Sequence, residues 1–173
     1  MMTAKHLDAL RRMASDEPPM TRAALDGLGD KEAVRKMLQV ELEKHLRAKE
    51  GVTGLLSRIQ KVTHYNASRA SRIAQTEKTR AVNGSRVSQA IGEYLDAYEK
   101  ASAQHRKRPE LPLFQWVHTN AAREPRHGHI AISGDIRPVG EEFLPRLRFP
   151  GDPDAPASET INCHCYVRRV RRE

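Results

Sequence analysis

Aromatic residues and cysteines are scarce in this chain, and long apolar runs are missing altogether. Its 173 residues hold one Trp, four Tyr and three Phe, so aromatics make up 5% and any core must be lean. No apolar run approaches the roughly 18 residues needed to span a bilayer, which excludes a helical membrane protein. The opening Met1-Met2-Thr3-Ala4-Lys5-His6 lacks the apolar stretch of a secretion signal. There are two cysteines, Cys163 and Cys165, one residue apart. On extended backbone their Cα atoms would lie about 6.5–7 Å apart, at the limit of an unstrained disulfide. Free thiols in a reducing compartment are therefore expected, and a secreted disulfide scaffold is excluded. Missing too are G-x-x-x-x-G-K-[ST], G-x-S-x-G and H-E-x-x-H, so the commonest nucleotide and hydrolase sites have no recognisable form here.

What the chain does have is positive charge. Thirty Lys and Arg against 22 Asp and Glu leave a formal charge of +8, with a mean hydropathy of -0.70. Residues 57–109 alone carry 11 basic and 4 acidic side chains, a net +7. Such an excess fits either a solvated helix face or contact with an acidic partner such as nucleic acid, with Arg69, Arg72, Arg80 and Arg86 as candidate DNA contacts.

Patterning predicts an α+β chain: a helical N-terminal half, then a small, loop-rich mixed α/β or β-rich C-terminal module. Residues 1–50 read as a helical arm, helix–loop–helix, broken at Asp16-Glu17-Pro18-Pro19 and again at residues 26–30. From Asp30, a suitable N-cap, Val34, Met37, Leu38, Leu42 and Leu46 recur at spacings of three and four until Gly51. Residues 51–108 read as a basic helical segment packing on the C-terminal module. Its first part is rich in Ala, Ser, Thr and Arg, and Ser85 is expected to cap a second helix carrying Val87, Ile91, Tyr94, Leu95 and Tyr98 on one face. Residues 109–173 are dense in Pro and Gly, which long helices do not survive. Strands are expected over 113–119, 129–132, 136–139 and 166–170.

Two dyads in this module could carry chemistry. His127 and His129, like Cys163 and Cys165, stand at i and i+2, which share a face on extended backbone. Side by side, the two segments would offer two imidazoles and two thiolates, a four-ligand set suited to Zn²⁺. The C-x-C spacing is not the usual C-x₂₋₄-C knuckle, and the same residues could instead be small buried apolar groups beside hydrogen-bonded histidines. Glu77 and Arg80 read as an ordinary i, i+3 ion pair, Trp116 as a core anchor or a stacking platform, and the basic end at 167–173 as a charge-protected edge strand or a phosphate-contacting tail.

Read in order, the chain gives Gln75-Thr76-Glu77, Trp116-Val117, Arg126-His127-Gly128-His129 with Gly134 five residues on, Phe149-Pro150-Gly151-Asp152-Pro153, and Asn162-Cys163-His164-Cys165. Over residues 60–170 this order resembles the phage Mu F-like minor head proteins, the phage head morphogenesis family. That family's pattern runs from an Arg-Thr-Glu helix through a Trp and an Arg-x-x-His-x₄-Gly stretch to a closing Asn-Cys-x-Cys. Arg126, His129, Gly134, Asn162, Cys163 and Cys165 stand at the matching positions. Gln75 departs from the pattern's first Arg, Glu124 stands where a further Arg is common, and His164 replaces a frequent Arg.

The resemblance implies a minor capsid protein associated with the portal, assisting head assembly or the handling of packaged DNA. Its partners would be portal or other head proteins and, non-specifically, DNA. It would reside in the virion, and in the host cytoplasm during assembly. No turnover is required of such a protein. Two other functions remain open at this point: a metal-dependent nuclease using His127, His129, Asn162 and His164, and a plain non-specific DNA-binding module.

Overall fold

A computed structural model describes residues 4–15, 31–49, 51–63 and 67–171. The expected breaks at 16–19 and 26–30 and the expected N-cap Asp30 lie outside those residues. In chain order the elements are α1 (Ala4–Ser15), α2 (Lys31–Ala48), α3 (Val52–Thr63), α4 (Ala67–Ala103), β1 (Leu113–Val117), α5 (His127–Ala131), β2 (Ile136–Pro138), α6 (Ala157–Thr160) and β3 (Tyr166–Val170). The arrangement is α+β, a long helix followed by a small three-stranded antiparallel sheet.

α4 is the spine. Its 37 residues extend over about 55 Å, and different partners use different stretches of it. The first stretch meets α3, where Leu55 and Ile59, four apart on one face, pack on Ala70, Ile73 and Ala74. Two of these three α4 residues are alanines, which let the helix axes approach. α3 also packs against α2, and Arg58 on α3 reaches Glu41 on α2 at 2.9 Å. Met37, expected on the apolar face of α2, is instead exposed.

The second stretch of α4 covers the main core. Val87, Ala90, Ile91 and Tyr94 meet Phe114, Trp116, Ile132, Val139, Phe143, Leu147, Phe149, Cys163, Cys165 and Val167. α1 joins here through Leu10, with Leu7 and Met13 packed at its edge. The two helices of residues 1–50 therefore serve separate packing regions, α1 the sheet's core and α2 the α3 hairpin. Ser85 caps nothing. It lies inside the continuous α4, whose buried stripe runs uninterrupted through the position. Just beyond the end of the helix, His105 takes a positive φ of 51° that turns the chain, and Arg106 N–H returns to the Ala101 carbonyl.

The sheet order is β2-β1-β3, with Leu113 opposite both Pro138 and Val170, and Val117 opposite Tyr166. β1 alternates as a half-buried strand should, burying Phe114 and Trp116. Pro138 is tolerable because β2 is an edge strand. The strand expected at 129–132 does not exist, since His127–Ala131 is a short helix.

Candidate functional site

The face of α4 that buries Val87 and Ile91 continues toward its N-terminus as polar residues: Asn83, Thr79 and Thr76 are all buried. Their spacing of three and four keeps them on the same stripe. Each is satisfied by the backbone leading into β3. Thr76 Oγ1 accepts from Asn162 N at 2.8 Å and donates to the Arg72 carbonyl at 2.7 Å. Thr79 Oγ1 donates to the Cys163 carbonyl at 2.5 Å, which Gln75 Nε2 also approaches at 3.3 Å. Asn83 holds both sides of the strand: its Oδ1 accepts from Val167 N at 2.9 Å, and its Nδ2 donates to the Cys165 carbonyl at 3.4 Å. Arg86 Nη1 then donates to the Val167 carbonyl at 3.2 Å. β3 is an edge strand, yet α4 side chains pair much of its outer edge as a neighbouring strand would.

This clamp fixes the Cys163–Cys165 backbone, and the side chains meet His129. Its Nδ1 lies 3.7 Å from Cys163 Sγ and 3.6 Å from Cys165 Sγ. Its Nε2 is 2.9 Å from Glu159 Oε2 on α6. A carboxylate only accepts, so Nε2 carries the hydrogen and the other ring nitrogen faces the thiols. The Trp116 ring packs edge-on against the imidazole, centroids 5.1 Å apart. His129, Cys163 and Cys165 are at most 5% exposed, and their ligand atoms all lie within 4.8 Å of one another. The thiols are not equivalent. Cys163 is pushed up, first by its hydrogen bond to Cys165 and then by burial. Cys165 is held down, first by that same bond and, against burial, by His129. Burial also lowers the pKa of the neighbouring His164.

His127 is not part of this group. It is exposed at the start of α5, and residues two apart on a helix lie on nearly opposite faces, so the expected His127–His129 pairing fails with the strand it assumed. The other residues carrying the resemblance build the walls. Arg126 stands at the N-cap position of α5, and its side chain donates from Nε to the Ser158 carbonyl and from Nη2 to the Ile161 carbonyl at 2.6 Å, holding the α6 turn in place. Gly134 turns at φ 99° and donates its N–H to the Trp116 carbonyl at 2.9 Å. Asn162 takes a left-handed φ of 53°, which Asn tolerates better than most residues, and so directs the chain into Cys163.

The Phe149–Pro153 loop is equally specific. Asp152 is fully buried and accepts from the Nε and Nη2 of Arg148, both at 2.7 Å, and from the Arg148 and Asp154 backbones. These bonds hold the Arg148 guanidinium above its usual range. Gly151, at φ 82°, presses on the α4 backbone so closely that a Cβ would meet Arg80 Cα at 2.6 Å.

Of the four candidate DNA contacts, Arg72 is exposed and Arg69 half-buried. Arg86 is exposed, but it bonds the β3 edge and lies over Tyr166. Arg80 does not fit that role: it is 7% exposed and pairs at 2.7 Å with Glu77, itself 2% exposed. The i, i+3 ion pair expected of Glu77 and Arg80 is present, but it is buried. Thr79, Asn83 and Glu159 have no part in the sequence reading of the site, and Thr76 enters it only through the Gln75-Thr76-Glu77 element. Thr76, Thr79 and Asn83 carried a signal in the sequence: they extend the Val87–Ile91–Tyr94 stripe at helical spacing, where solvated polar residues would not be expected.

Compared with known proteins, the chain is similar to YqbB, an uncharacterized protein of Bacillus subtilis (strain 168), at 34% identity over 90 residues. The alignment takes in 47% of this chain and 29% of YqbB, so the chain spans under a third of that relative's length. No family model matches the chain, and no solved structure matches it.

Proposed function

We propose that this chain is a minor head protein of a tailed phage, docking on the portal or neighbouring head proteins and assisting capsid assembly, with no turnover of its own. One observation carries this reading. The residues on which the resemblance rests are scattered from Thr76 to Cys165, yet they converge on a single buried knot: Thr76 on Asn162, Arg126 on the 158–161 turn, Trp116 on His129, and His129 on both cysteines. A chance string of weak motifs has no reason to meet in space. The test is co-expression with the portal and head proteins of a phage encoding this chain, followed by capture across a range of salt. Co-purification with the portal is expected. A well-folded chain that binds none of them at any salt overturns the reading.

Handling of packaged DNA is the second part of the proposal, and it draws on the exposed cations of α4 and its end: Arg72, Lys78, Arg106, Lys107 and Arg108. Such contacts would be non-specific phosphate neutralisation. The nuclease reading is weaker. It needs His127, His129, Asn162 and His164 around one metal, but His127 is exposed on nearly the opposite face of α5 from the buried His129.

A further inference from the structure

We infer that His129, Cys163 and Cys165 form a zinc site that ties α5 to the entry of β3. The distances are those a shared metal would set. With Zn–N near 2.0–2.1 Å and Zn–S near 2.3 Å, tetrahedral geometry sets nitrogen and sulfur about 3.6 Å apart. Nδ1 lies 3.7 and 3.6 Å from the two sulfurs, and all three ligand atoms fall within 4.8 Å of one another. C-x-C suits this purpose because extended backbone turns residues i and i+2 the same way, while the α4 clamp pins the Cys163 and Cys165 carbonyls.

The surroundings are those of a ligating imidazole. A metal-bound histidine characteristically donates its other ring N–H to a carboxylate or carbonyl, which fixes the tautomer and ring orientation. Glu159 receives Nε2 at 2.9 Å, and Arg126 holds the turn that carries Glu159 through the Ser158 and Ile161 carbonyls. Arg126 and Glu159 are thus positioning residues, acting on the metal through His129. Thiolate and imidazole ligands select a borderline-soft cation, and N/S sites of this composition suit Zn²⁺ rather than Mg²⁺ or Ca²⁺. Among the described residues no fourth side chain joins the group, which leaves one tetrahedral position for a further ligand. The indole Nε1 of Trp116, beside His129, is buried without a partner among the described residues.

The site does not depend on the phage reading, and its test has separate readouts. The full chain is purified in reducing buffer without added metal and assayed for metal content. One zinc per chain is expected, lost in Cys163→Ser and in His129→Ala. Replacement by Co²⁺ should give thiolate-to-cobalt charge-transfer absorption together with the visible bands of a tetrahedral ion. Because the ligand variants could misfold, Glu159→Gln provides a milder arm: native far-UV circular dichroism with zinc affinity weakened about 10–100-fold. The proposal is overturned by a folded wild-type chain whose two thiols react freely with a thiol reagent while it takes up neither zinc nor cobalt. A chain mass lower by two hydrogens, from a Cys163–Cys165 disulfide in reducing buffer, overturns it as well. So does a tightly held native metal that zinc does not displace.

Discussion

Arg80 and Arg72 are two turns apart on α4 and bear the same charge, but their environments predict opposite outcomes. Arg80→Ala strips the buried Glu77 carboxylate of a partner at 2.7 Å, and losses of this kind run to about 3–5 kcal/mol. Arg72→Ala, on the exposed side, should stay within about 0.5 kcal/mol of wild type. Urea denaturation of the two variants measures the difference, and equal midpoints would contradict the buried pair. Gly151→Ala gives a second check. A methyl there meets the Arg80 backbone at 2.6 Å on a residue already at φ 82°, so a loss of at least about 1–3 kcal/mol is expected from the same denaturation curves. What the sequence could reveal at single positions followed the same division. Cys163, Cys165 and His129 were legible because few residue types do their chemistry. Asn83 and Thr79 offered only their place on the α4 stripe, because their bonds go to backbone carbonyls and amides more than 80 residues away, and no residue code records a carbonyl.

Elements were legible where their period was long enough to read. α2, β1 and β3 lie close to where apolar spacing put them, and β3 coincides with the expected strand at 166–170. α5 escaped because five residues are too few to display a 3.6-residue period, and its place is set by Arg126 and His129 rather than by propensity. Ser85 misled for a different reason: a polar residue on the exposed side of a continuous helix carries the same letters as a cap. The continuity of α4 itself can be tested. Gly92 lies in its interior with open space around any added methyl, so Gly92→Ala should stabilise the protein by about 0.5–1 kcal/mol, read as a raised Tm. A lowered Tm would mean that the helix needs freedom at that point.

Across the molecule, charge and core are arranged on opposite terms. The buried cation Arg80 serves the fold, while Arg72, Lys78 and the 106–108 cluster stay exposed. If those exposed cations meet DNA, the logarithm of the binding constant should fall linearly with the logarithm of salt concentration. Reversing Arg72 and Lys78 together should flatten that slope by about 2, whereas a slope near zero in the unaltered chain would remove DNA from the proposed partners. Fluorescence anisotropy on a short duplex of arbitrary sequence suffices. Composition foretold this basic character but not its partition, because burial of one arginine among many depends on what the Phe149–Pro153 loop places against it.

β3 closes on α4 side chains from residues 76–86 and on β1 from residues 113–117, all of them earlier in the chain. During synthesis on a ribosome, the long helix and the first strands emerge with Thr79 and Asn83 unfilled, waiting for the strand at 166–170 and the residues leading into it. The lobe can therefore close only after residues 163–170 have been made, however early its long helix forms.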